Sequence, residues 1–349
     1  MMLSLKDREW GEFQIGSLFD IKIGKSIDAN KVNIKMGKNA YITRKESNNG
    51  LDGFLDYDKD YLNTQFPVIT IGNETAEPFV QTFPFFTGTK VNILSSKKSV
   101  SPQALLFVAQ SIRMNKSKYS YTFTINSTRL KKQNILLPLD KNGLPDWQFM
   151  EQYIREREKV QLKDYTAYVE KVLADIGDVD GVLPLKEKEW RAFHIEEIAK
   201  IEPGRDIYDA ERRIGDTPYI SSTSINNGIA YYVSNDNSTK EANCISVNRN
   251  GSVGYAFYHP YEALYSNDCR KLRLNQPSKY ASIFIAHQIK KQREKYSYGY
   301  KMGTARLKRQ LILLPINECN EPDWTYMERY TKSLMKHQLR TYLHQKDLL

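Results

Sequence analysis

The sequence predicts an α+β chain: two tandem mixed α/β domains, separated by two long helices that pair antiparallel as a coiled coil, with pseudo-twofold symmetry. Three observations predict it. A junction of about 35 residues occurs twice. The region before each copy carries short β-rich runs broken by turn signals. The region after each copy carries the longest helical spacing in the chain.

The repeat is dense. Tyr119–Tyr153 aligned with Tyr296–Tyr330 gives 17 identities in 35 positions, among them Tyr-Ser-Tyr, Arg-Leu-Lys, Ile-Leu-Leu-Pro, Pro-Asp-Trp and Met-Glu. The likeness continues upstream more faintly. Trp10 answers Trp190, Gly24-Lys25 answers Gly204-Arg205, and Asn48-Asn49-Gly50 answers Asn226-Asn227-Gly228. The stretch from Ile69 answers that from Ile245, and Phe107-Val108-Ala109 answers Phe284-Ile285-Ala286. Two similar units in one chain imply pseudo-twofold symmetry. The boundaries that follow are 1–145 for the first domain, 146–177 for the first spacer helix, 178–322 for the second domain and 323–349 for the second spacer helix.

Within the domains, β-branched runs at Ile69–Gly72, Lys90–Leu94, Cys244–Asn248, Lys271–Leu274 and Gln310–Pro315 read as strands. Pro102–Lys116 and Tyr280–Lys295 carry helical spacing. Asp146 and Asp323, each between Pro and Trp, are expected N-caps. The first long helix is expected over Trp147–Ile176, with a stripe of Trp147, Met150 and Ile154, then Tyr165, Tyr168, Val172 and Ile176. The second starts at Trp324 and shows Met327, Tyr330, Leu334, Leu339 and Tyr342. A 30-residue helix is a rod of ~45 Å at ~1.5 Å per residue. That matches ~13 base pairs of duplex at ~3.4 Å each.

The chain has 349 residues and a formal net charge of +10, which favours a polyanionic partner. Tyrosine dominates the aromatics, 23 against 14 Phe and 4 Trp. A mean hydropathy of −0.59 and the absence of a long apolar run argue against a membrane span. Cys244, Cys269 and Cys319 are too few and too scattered for a disulfide scaffold or a zinc site. With no signal-peptide pattern at the start, the expected location is the cytoplasm.

Catalytic motifs are missing from the sequence. There is neither a G-x-x-x-x-G-K-[ST] loop nor a G-x-G-x-x-G. The Asp/Asn/Ser-Pro-Pro-aromatic motif of amino-methyltransferases does not occur. The five histidines, His194, His259, His287, His337 and His344, have no metal-ligand spacing. Asp20-Ile21-Lys22 offers an acid-x-Lys triplet but lies upstream of Pro145-Asp146, the wrong order for a nuclease site. The sequence therefore reads as a non-catalytic recognition protein without a metal or cofactor of its own.

In these motifs the chain resembles the specificity subunits of Type I restriction-modification systems, and equally those of BcgI-like Type II systems. The order is a variable domain, Arg129-Leu130, Leu137-Pro138, then Pro145 with Glu151-Gln152 and Ile154, and a long helix. The second copy has Arg306-Leu307, Leu314-Pro315 and Pro322 with Glu328, but Arg329 and Thr331 replace Gln and Ile. The family's usual Pro-Pro before Glu-Gln is Pro-Asp-Trp here. The resemblance implies that each half is a target recognition domain reading one part of a split double-stranded DNA sequence. The helices would set the gap. Two modification subunits, which carry S-adenosylmethionine and methylate adenine, would dock on helices and domains, and restriction subunits would join to cleave. A different class, a stand-alone twofold DNA-binding regulator, fits the same scaffold.

Candidate DNA contacts follow from position and chemistry. Arg129, Lys131 and Lys132 are echoed by Arg306, Lys308 and Arg309. They read either as phosphate contacts or as a strand edge anchored by its Arg. Lys25 and Arg205 follow matching turn glycines. Thr43, Arg44 and Lys45 answer Ser221, Ser222 and Thr223, and Asn73 with Glu74 answers the group Asn248, Arg249 and Asn250. These differ between copies, as reading two unequal half-sites demands, and Arg249 is the preferred base reader. Trp147, Met150, Trp324 and Met327 read as helix-start core or as a partner contact. Trp10 and Trp190 read as core.

Overall fold

The computed structural model describes residues 2–120, 122–297 and 299–346. Tyr121 and Tyr298, equivalent tyrosines of the repeated Tyr-Ser-Tyr, and residues 347–349 of the second spacer helix lie outside the described residues. The chain divides into two compact units, Met1–Tyr165 and Thr166–Leu349.

The first unit contains β1 (Trp10–Gln14), α1 (Ile15–Leu18), β2 (Phe19–Ile23), β3 (Lys35–Met36), β4 (Asn39–Ile42), β5 (Leu51–Leu55), β6 (Val68–Gly72), β7 (Pro78–Gln81), β8 (Phe85–Thr87) and β9 (Val91–Ser96). It continues through α2 (Pro102–Arg113), α3 (Ser127–Lys132) and β10 (Asn134–Pro138) into α4 (Trp147–Ile176). The second unit repeats this order. It has β11 (Trp190–His194), α5 (Ile195–Ile198), β12 (Ala199–Pro203), β13 (Ile214–Ile220), β14 (Ile229–Val233), β15 (Cys244–Asn248), β16 (Ala256–His259), β17 (Leu264–Tyr265) and β18 (Cys269–Leu274). Then come α6 (Lys279–Lys290), α7 (Thr304–Lys308), β19 (Leu311–Pro315) and α8 (Trp324–Gln345). An α+β architecture holds in both units.

Each unit is built on a four-stranded antiparallel sheet, ordered β2-β9-β6-β7 in the first and β12-β18-β15-β16 in the second. A two-stranded ribbon closes one side, with Trp10 opposite Pro138 and Trp190 opposite Pro315. The third sheet differs: β3-β5-β4-β8 in the first unit, but only β14-β13-β17 in the second.

The helix α2 starts where Ser101 accepts a hydrogen bond from the Ala104 N–H, with Pro102 in the first turn, and α6 is capped by Ser278 in the same way. Leu105, Val108 and Ile112 of α2 pack on Ile69, Ile71 and Leu94 of the sheet. Ile285 and Ile289 of α6 pack on Ile245, Val247 and Leu272. Burying each such side chain contributes about 1.5–3 kcal/mol. Trp10 and Trp190 fall short of the core expected for them. Trp10 is 38% exposed. Each stacks one face on the helix, on Phe107 or Phe284, and donates its indole N–H to the Leu5 or Leu185 carbonyl at 3.0 Å. They cover the flank of the core.

The caps of the long helices follow the sequence. Asp146 accepts from the Phe149 N–H and Asp323 from the Tyr326 N–H, both at 2.9 Å. In the second unit the last turns of α4 lay Val172 and Ile176 against Tyr280 of α6 and Met335 and Leu339 of α8. The Tyr280 hydroxyl donates to Asp175 at 2.7 Å. Other residues of the expected stripes, Tyr168, Leu334 and Tyr342, are exposed. No helix among the described residues is long and apolar enough to cross a membrane.

One buried polar cluster sets a pH response. Ser246 and Tyr261 flank the two ring nitrogens of His259, at 2.8 and 3.3 Å. Burial pushes the His259 imidazole down to about 4. The folded state thus keeps it neutral where the unfolded chain takes up a proton. Stability from this group is complete above pH 6.5, falls as pH drops toward 4, and is flat below. The loss is about 3 kcal/mol at ~1.4 kcal/mol per pH unit. Urea unfolding at pH 7 and pH 4.5 should show it, and His259→Gln should flatten the difference.

Candidate nucleic-acid interface

In each unit the loop after β4 or β13 of the third sheet meets the turn after β6 or β15. The loop is fixed by a backbone conformation that only its sequence permits easily. Asn48, Asn49 and Gly50 have φ of 54°, 54° and 73°; Asn226, Asn227 and Gly228 have 54°, 52° and 78°. Three consecutive left-handed residues favour Gly and Asn over almost every other residue. The Thr43 N–H donates to the Gly50 carbonyl and the Ser221 N–H to the Gly228 carbonyl, at 2.8 and 2.9 Å.

The loops then dock on the turns. In the first unit, Arg44 pairs with Glu74 at 2.7 Å, and Lys90 holds the same carboxylate at 3.2 Å. Burial raises the Glu74 carboxyl, but the hydrogen bonds from Arg44 and Lys90 outweigh it and hold the group below the usual carboxylate range. Lys45 pairs with Asp52. Thr43, Arg44, Lys45, Glu74 and Thr75 line one cleft of about 480 Å³ with Asp28 and Asn30. In the second unit, the Ser252 N–H donates to the Ser222 carbonyl at 3.0 Å. Asn248 donates to the Thr223 carbonyl at 2.9 Å. Asp268 takes the place of Lys90 next to the turn: the Asn250 amide donates to it at 3.1 Å, and Arg249 lies 3.9 Å away.

The chemistry is therefore inverted on one frame. The first turn presents an acid between two cations, and the second a cation beside an acid. Both turns also hold buried side-chain atoms with no protein partner: Glu74 Oε2 and Thr75 Oγ1 in one, Arg249 Nε and Asn250 Oδ1 in the other. Unsatisfied polar atoms are rare, and turns that keep them are suited to an external partner.

Two candidates leave this surface. Asn248 is fully buried and Asn73 nearly so. The amides of Asn73 and Asn92 share a 2.6 Å hydrogen bond, and the Cys269 thiol lies 3.5 Å from the Asn248 oxygen. Both asparagines are framework, because their amides are spent inside the fold. The sequence missed Thr75, Lys90 and Asp268; comparing the copies position by position would have exposed the Lys90–Asp268 reversal.

The repeated Arg-Leu-Lys lies on the short helices α3 and α7, not on a strand edge. Arg129 donates to the Thr124 carbonyl at 2.7 Å and sits 4.0 Å from the Phe123 ring. Arg306 donates to the Lys301 carbonyl at 2.7 Å and sits 4.1 Å from the Tyr300 ring. Each Arg clips its own loop, with no carboxylate involved among the described residues. Lys131, Lys132, Lys308 and Arg309 are exposed beside it. Lys25 and Arg205 are exposed as well; the Lys25 ammonium lies 5.6 Å from the Tyr61 ring. Met150 and Met327 are fully buried in the cores, which removes them as partner contacts. Trp147 and Trp324 are half-buried at the same helix starts.

Each of the two α+β units thus pairs a repeated Arg-Leu-Lys clip with a polar turn whose charged residues differ from those of the other. The chain belongs to the family described as the Type I restriction modification DNA specificity domain, which matches residues 7–164 and again 187–344. It is a specificity subunit of the restriction-modification class. A curated relative, the specificity subunit S.BcgI of a Type II restriction enzyme of Heyndrickxia coagulans, is 41% identical over 328 residues, covering 92% of this chain and 93% of the relative. Among solved structures, the S subunit of a Type I restriction-modification system from M. genitalium has a similar fold. Its TM-score is 0.51 at 17% identity, covering 100% of this chain and 95% of that one.

Proposed function

We propose that each unit reads one part of a bipartite DNA target through its turn cluster, and that α4 and α8 set the gap between the parts. The observation that carries this reading is the charge inversion on a shared frame, Glu74 held by Arg44 and Lys90 against Arg249 beside Asp268. A homodimeric reader would present two identical turns to two identical half-sites; this chain presents two different ones. The packing of Val172 and Ile176 with Met335 and Leu339 supports a helix-pair spacer.

The chain itself carries no chemistry. Two methyltransferase subunits dock near the helix starts at Trp147 and Trp324, bring S-adenosylmethionine and methylate adenine; restriction subunits join them in the cytoplasm. The 41% identity to S.BcgI favours a BcgI-like complex.

Mapping methylated adenine in cells with and without the chain tests the reading: one bipartite motif with two unequal halves is expected to vanish. Arg249→Ala should relax one base position in one half only. Arg bidentate to guanine is worth about 1–3 kcal/mol of discrimination, or roughly 5- to 150-fold. Relaxation in both halves, or none, would refute the role given to Arg249.

A further inference from the structure

The two units differ in one more place, where the loop, the turn and the end of the helix on the main sheet converge. In the first unit Arg113 and Lys116, at the end of α2, are neutralised. Arg113 Nε lies 2.5 Å from Glu77, and Lys116 bridges Glu77 at 2.8 Å and Glu46 at 2.9 Å. Burial raises the Glu77 carboxyl, but the hydrogen bonds from Lys116 and Arg113 prevail and lower it.

The second unit keeps both cations and lacks both acids. Lys290 and Arg293 stand where Arg113 and Lys116 do, at the end of α6. Tyr255, immediately before β16, stands where Glu77 precedes β7. Ser224, two positions before Asn226, stands where Glu46 precedes Asn48. Arg293 donates to the Tyr255 hydroxyl at 2.5 Å, and Lys290 lies 5.1 Å from the Tyr255 ring. Among the described residues no carboxylate pairs with Lys290, Lys291 or Arg293. Glu294 lines the same cleft without pairing to them. The field is felt nearby: burial first, then Lys291 and Lys290, push the His287 imidazole down. The cleft, about 360 Å³, is lined by Ser224, Ser252, Tyr255, Arg293 and Ser297. A guanidinium beside several hydroxyls, with the Lys290 ammonium behind Tyr255, is a donor set for a phosphate oxyanion.

We propose that this cleft of the second unit seats a phosphate of the DNA backbone, and that the first unit has no equivalent seat because Glu46 and Glu77 occupy its cations. The inference rests on the DNA-reading function above and adds to it an asymmetric grip. The seat adjoins the Arg249 turn through Gly251 and Ser252, so it would fix the register of the base reader without reading sequence itself.

The test is the salt dependence of binding of the full chain to a labelled random-sequence DNA duplex. Each phosphate contact contributes about 0.9 to the slope of log K against log salt. Lys290→Gln with Arg293→Gln should lower the slope by about one, the share of a single phosphate. Ser224→Glu, which restores one acid of the first unit and leaves the cations in place, should lower it by about one and serves if the double variant folds poorly. Arg113→Gln with Lys116→Gln should leave the slope unchanged and lower the melting temperature instead, because it strands the buried Glu77. Wild-type slopes in both second-unit variants would overturn the seat alone. Failure of the wild-type chain to bind DNA would overturn the reading and the seat together.

Discussion

Glu241→Ala is expected to destabilise the second unit by about 3–5 kcal/mol, the cost of stranding a buried charge whose partner is removed. The charge is Lys271, 6% exposed on β18 in the middle of the main sheet. Its ammonium is held by Glu241, with Glu202 at 3.5 Å and the Thr239 carbonyl at 3.4 Å. Glu202 is partly solvated and already pairs with Lys200 at 2.7 Å, so it replaces Glu241 only in part. Arg273 loses its 2.5 Å partner as well. The first unit shows that the position does not need a charge, since β9 has the buried Ile93 there. Lys271→Ile together with Glu241→Gln should therefore recover most of the loss. Urea or thermal unfolding measures both variants. A cost below about 1 kcal/mol for Glu241→Ala would mean that Lys271 reaches solvent.

Asn92→Ala should cost about 3 kcal/mol and loosen the turn after β6 while sparing the turn after β15. The Asn92 side chain is fully buried on β9. It meets Asn73 at 2.6 Å and the carbonyls of Ile71 and Ile125 at 3.4 Å each, and it accepts from the Ser127 hydroxyl at 2.8 Å. Removing it leaves several buried polar groups unmatched, each worth about 1–3 kcal/mol before relaxation. In the second unit Arg270 does this task, donating to Thr304 at 2.6 Å and to the Asn267 and Cys269 carbonyls at 2.9 Å. Both tie the inner strand to the short helix that carries the repeated Arg. Hydrogen exchange should show faster opening at 73–75 in Asn92→Ala, with 249–251 unchanged. Equal protection in both units would refute the link between this amide and the turn.

The features that depend on local chemistry were legible. The repeat announced two units, β-branched runs marked the inner strands, and the Asp before each Trp marked the start of each long helix. The Asn-Asn-Gly pairs were legible as turns for the same reason, since few other residues sustain positive φ in succession. Burial of single polar residues was not legible. Asn73 and Asn248 sit beside surface residues in sequence, and only the strand across the sheet decides that their amides point inward. Nor were the ion pairs. Arg44 and Glu74 are 30 positions apart, and Glu77 meets Arg113 across a sheet and a helix. Met150 and Met327 were ambiguous because the apolar face of a helix start looks the same whether it meets its own sheet or another protein.

The Asn-Asn-Gly loops and the Arg129 and Arg306 clips are the same in both units, while the side chains they hold up are not. Such a division of labour makes the protein a chassis for new repertoires. Arg44, Lys45, Thr75, Ser222, Arg249 and Asn250 can be varied as a set with little penalty to the scaffold, provided Asp52, Glu74 with Lys90 and Asp268 vary alongside them. On the proposed function, exchanging one half for another changes the target and leaves the frame intact.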